Sequence, residues 1–115
     1  MGFSMEIAQS IYESTATFNR VILRTSAALG IEDADWKSPY ELMPEIEKRN
    51  ETLHGLLLRF MKAYADWHNM QLEITQKPEI ATFENLGKQK QLAANRDEAR
   101  GTFVAALQKI EKPQT

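Results

Sequence analysis

Ile46, Leu53, Leu56, Leu57, Phe60, Tyr64, Trp67 and Ile74 recur at spacings of three, four and seven, with Lys48, Glu51, Arg59, Lys62, Asp66 and Glu73 opposite them. This is the period of an amphipathic helix. Ser38-Pro39-Tyr40-Glu41 supplies its start, with Ser at the cap, Pro at the first helical position and Glu three residues after the cap. The pattern predicts one long helix over residues 39–75, disturbed at Pro44, where a missing N–H demands a kink or a restart. Unbroken, it would be about 55 Å long at 1.5 Å per residue. Leu57, Leu58, Met61 and His68 widen its apolar arc beyond one stripe, so it should touch two neighbours.

Two further helices follow from the same reasoning. Ile7, Ile11, Phe18, Val21, Ile22, Thr25 and Leu29 share a face over about residues 4–29, away from Glu6, Glu13, Arg20 and Arg24, and Gly30-Ile31 reads as a left-handed cap followed by an apolar fold-back. Ser10, Ser14, Thr15 and Thr17 suggest a close-packed seam within this helix. The last helix spans about residues 82–111, opened by Thr82-Phe83-Glu84 after the break at Gln76-Lys77-Pro78-Glu79. Phe103, Val104, Leu107 and Ile110 give it an ordinary apolar face. Towards its start Gln89, Arg96 and Arg100 occupy the packing seam, and a buried arginine needs a partner.

The expected fold class is therefore all-α, a single domain over residues 1–115. Its form is a three-helix bundle or an elongated helical hairpin with a long central helix, completed by dimerisation. In the acidic connection Glu32-Asp33-Ala34-Asp35, Trp36 is expected to staple onto the second helix or to anchor a partner.

Composition narrows the chemistry. With 43% hydrophobic and 26% charged residues, 115 residues suffice for one core. The absence of cysteine removes thiol nucleophiles, disulfides and thiolate metal sites. No signal-like or membrane-length apolar run appears, so a cytoplasmic protein with no membrane partner is expected. The net charge of −2 hides an asymmetry: 8 basic against 12 acidic residues through Ala81, and 6 against 4 beyond it. Such a split can help two copies, or two halves of one chain, find each other, whereas nucleic acid calls for a denser basic face.

Candidate sites are few. Arg96 and Arg100, four apart on one face, can clamp a carboxylate or phosphate, or pair with Glu13, Glu47 or Glu51. Glu51-x-x-His54 matches half of a helical di-iron motif, but Ala65 stands where a Glu preceding His68 would be needed. His54 also lacks the basic residue and glycine that follow a phosphotransfer histidine, since Leu57 and Leu58 stand there. No phosphate loop or catalytic triad pattern is present. The expectation is a small interaction module such as an adaptor, regulator or secretion-type chaperone. It would have neither catalytic activity nor a cofactor, and would bind another protein or its own copy. Trp36, Leu57, Met61, His68, Gln89, Arg96 and Arg100 are the expected partner-binding residues, with Met5, Met43, Met61 and Met70 as adaptable contacts. The alternative is a ligand or metal site at Arg96/Arg100 or Glu51/His54.

Overall fold

The computed structural model describes residues 5–111, and the side chains from Thr15 onward. Four α-helices make up the described chain, without a strand: α1 Met5–Ala28, α2 Pro39–Arg49, α3 Glu51–Gln76 and α4 Phe83–Glu111. Two short 3₁₀ turns, Ala34–Trp36 and Pro78–Ile80, lie in the connections. None of the described helices is long and apolar enough to cross a membrane. The molecule measures 53 × 31 × 19 Å, and its radius of gyration of 16.5 Å exceeds the value of about 13 Å for a compact chain of this length.

The long second helix of the sequence pattern is two helices, and the break falls at Asn50 rather than Pro44. Pro44 lies within α2, which runs on past it. Asn50 instead adopts an extended backbone, φ −155° and ψ 90°. Its N–H still reaches the Ile46 carbonyl at 2.8 Å, closing α2. Its side-chain oxygen accepts from the Leu53 N–H at 3.0 Å, opening α3. One residue thus serves both termini, with Lys48 and Arg49 at the negative end of α2 and Glu51 at the positive end of α3.

Other boundaries follow their local chemistry. Ser38 and Glu41 form the reciprocal capping box. At the end of α1, Gly30 takes φ 73° and donates to Ala27, while Ile31 donates to Ser26 and buries its side chain, the two bonds of a Schellman cap. Thr82 accepts from the Asn85 N–H at 3.1 Å and opens α4.

α3 and α4 form an antiparallel hairpin. Phe60 stacks on Phe103, Arg59 meets Glu98, and Gln71 meets Gln89 further out. α1 lies against α3 through Phe18 and Tyr64, and Arg49 of α2 donates to the Leu29 carbonyl at its end. The core gathers Ile22, Ile31, Leu42, Ile46, Leu53, Leu57, Phe60, Ala99, Phe103 and Leu107. From Met61 to Glu98 no residue is fully buried, so the turn end of the hairpin is thinly covered.

Several expectations change here. Leu57 is fully buried in the chain's own core. Trp36 is no staple: it is 89% exposed, because the 3₁₀ turn and the extended Lys37 carry it off the start of α2. The buried hydroxyls are Thr25 and Ser26, which donate to the Val21 and Ile22 carbonyls at 2.6 and 2.8 Å. Thr15 is exposed, Thr17 is half-buried, and the side chains of Met5, Ser10, Glu13 and Ser14 lie outside the described residues.

Two substitutions test this architecture. Phe103→Ala should lower stability by about 3–5 kcal/mol in urea denaturation, as expected for a buried aromatic. Asn50→Ala should cost about 1 kcal/mol through the lost cap. A neutral Phe103→Ala would overturn the assigned core.

Candidate functional site: an arginine-lined aromatic cleft

Beyond the core, α1, α3 and α4 enclose a half-open cleft of about 640 Å³. Helical spacing builds each wall. Thr17, Arg20, Val21 and Arg24 are one face of α1; Phe60, Tyr64 and Trp67 are one face of α3; Arg96 and Arg100 lie one turn apart on α4.

Tyr64 is the hub of the cleft. Its ring meets Phe18, Phe60 and Trp67 edge to face at centroid distances of 5.4, 6.1 and 5.7 Å, and His68 stacks on it at 5.8 Å. Edge-to-face rings add about 0.5–1.5 kcal/mol each beyond simple burial. The cluster forms the aromatic floor of the cleft.

The four arginines divide into two pairs. Arg24 grips Glu111 with Nε at 3.0 Å and Nη2 at 2.8 Å. Its pKa is raised above the ordinary value, first by that hydrogen bonding and then by Coulombic attraction, with partial desolvation opposing. Arg96 lies with its guanidinium carbon 4.2 Å from the centre of the Trp67 ring and donates twice to Asp97 Oδ1. Arg20 and Arg100 are exposed and have neither a hydrogen bond nor an ion pair among the described residues. Two charges in the cleft are answered by the chain itself, and two are not.

The expected site residues are only partly brought together. Arg96 and Arg100 share the cleft, but the salt bridge of Arg96 goes to its neighbour Asp97 rather than to Glu47 or Glu51, while the side chain of Glu13 lies outside the described residues. Arg100 points away from the core, whose place on α4 is filled by Ala99. His68 is half-buried behind Tyr64, and its Nε2 is buried without a hydrogen-bond partner. Gln89 donates to Gln71 Oε1 at 2.6 Å, nearer the turn of the hairpin. Met61 faces a separate apolar groove with Phe18, Ile22, Tyr40 and Met43. Trp36 stands with Tyr40 among the most exposed large side chains, outside the cleft. His54 meets Glu47 at 3.5 Å rather than Glu51, and no three His, Asp or Glu residues gather as metal ligands among the described residues.

The α1 wall escapes the periodicity argument, because Arg20 and Arg24 fall on the polar side of their own helix. Their spacing of four matches that of Arg96 and Arg100, and this second pair was the available signal.

Arg96→Ala should lower stability by about 0.5–2 kcal/mol, the range of a partly desolvated cation–π contact. In a Trp36→Phe background it should also shift the emission of Trp67; an unchanged spectrum would remove the contact from solution. Compared with protein-family models, curated proteins and solved structures, the chain matches none.

Proposed function

We propose that this protein is a small helical interaction module that works by binding, without catalysis, and that the arginine-lined cleft receives an acidic segment of a protein partner. The observation carrying this reading is the pair of exposed guanidinium groups, Arg20 and Arg100, which have no partner among the described residues and flank an aromatic floor. Unpaired arginine beside apolar wall suits a segment in which carboxylates adjoin a bulky side chain, since the fork of donors orients a carboxylate and the rings shield it from water. The cleft lies within the size range of binding sites, about 300–1,000 Å³. An adaptor, regulator or secretion-type chaperone of the cytoplasm would use such a surface.

The alternative is a ligand or metal site at Arg96/Arg100 or Glu51/His54; what supports it is the cleft that Arg96 and Arg100 line, while His54 lies 3.5 Å from Glu47.

Fluorescence anisotropy with a labelled peptide that carries two carboxylates beside a tryptophan tests the reading. Binding should weaken with added salt and fall at least about tenfold in an Arg20→Glu/Arg100→Glu double variant, a loss equivalent to about 1.4 kcal/mol. Equal binding by the double variant would overturn the assignment of the cleft.

A further inference from the structure

An acidic segment next to an aromatic side chain already exists on this chain. Glu32, Asp33 and Asp35 are exposed and have no ion-pair partner among the described residues, and Trp36 beside them is 89% exposed. The segment is also held in shape: Asp33 adopts φ 56°, and the Trp36 and Lys37 N–H groups donate to the Asp33 and Ala34 carbonyls at 3.0 and 3.1 Å. A rigid loop loses little freedom on docking, and an exposed tryptophan is the residue type that most often dominates an interface.

Its chemistry complements the cleft. Three unanswered carboxylates meet two unanswered guanidinium groups, and the indole meets the apolar wall formed by Val21, Phe60 and Tyr64. Within its own chain the segment lies elsewhere: the backbone turns at Gly30 and sets Asp33 to Trp36 against Leu23 and Ala27 of α1, and none of these residues lines the cleft.

Resting on the cleft assignment made above, we infer that its occupant is the Glu32–Trp36 segment of a second copy of this chain. Two copies exchange segments reciprocally, each giving its acidic loop to the other's cleft, which closes a twofold dimer with two equivalent contacts.

Sedimentation of the full chain tests this, with circular dichroism verifying that each variant is folded. The wild type should be dimeric at about 100 μM in low salt and dissociate as salt screens the contacts. Arg20→Glu/Arg100→Glu and Glu32→Lys/Asp35→Lys should each be monomeric, and an equimolar mixture of the two should recover dimer, since one reversed cleft then faces one reversed segment. Trp36→Ala should weaken self-association at least about tenfold. A monomeric wild type, a dimer indifferent to these changes, or a mixture that stays monomeric would overturn the proposal. If the wild type is monomeric yet still binds the labelled peptide through Arg20 and Arg100, self-association falls and the cleft assignment stands. If it binds neither, both fall.

Discussion

Phe60 lies flat on Phe103, with a centroid separation of 6.1 Å and an interplanar angle of 1°, and this contact holds α3 against α4. Neither helix could slide by a turn without prising the rings apart and exposing Leu57 and Leu107. The other meetings along the hairpin, Arg59 with Glu98 and Arg96 with Trp67, depend on that register. The Arg59–Glu98 ion pair is exposed and weak on its own, so the buried rings rather than the charges hold the alignment.

The break at Asn50 has a complementary effect. A continuous helix from Pro39 to Thr75 would carry Leu42 and Ile46 beyond the hairpin and leave them in water. Turning at Asn50 brings both into the core with Ile22 and Ile31. Capping makes the turn inexpensive, since Asn50 satisfies a carbonyl acceptor of α2 and an N–H donor of α3.

The cleft arises where this core ends. Past Phe60 the facing residues of α3 become Tyr64 and Trp67, which pack on one another, Tyr64 also meeting Phe18. Ala99 is small enough to let α4 approach α3, and beside it Arg96 and Arg100 take the cleft side of α4. Arginine is compatible with such a boundary because its stem can lie along rings while its head stays hydrated. Arg96 does so over Trp67; Arg100 remains in water.

The all-helical class, the capping box at Ser38, the Gly30–Ile31 cap and the apolar faces around Ile46, Leu53, Leu57, Phe60, Phe103 and Leu107 were legible in the chain as written. They follow from neighbours a few residues apart, whose spacing and hydrogen bonding are local. Asn50 was hidden by an apolar period that continues across it, although Arg49-Asn50-Glu51 carries the charge reversal of a helix junction. Half of the cleft was legible, in Arg96 and Arg100. The other half was not, because Arg20 and Arg24 lie on the polar side of α1, and a polar face acquires a neighbour only when helices pack at particular angles. The sequence by itself determined where helices begin, which faces avoid water and which residues are charged. The tertiary structure alone decided which charges find partners, because pairing depends on distances between residues as far apart as Arg24 and Glu111, which no local spacing encodes.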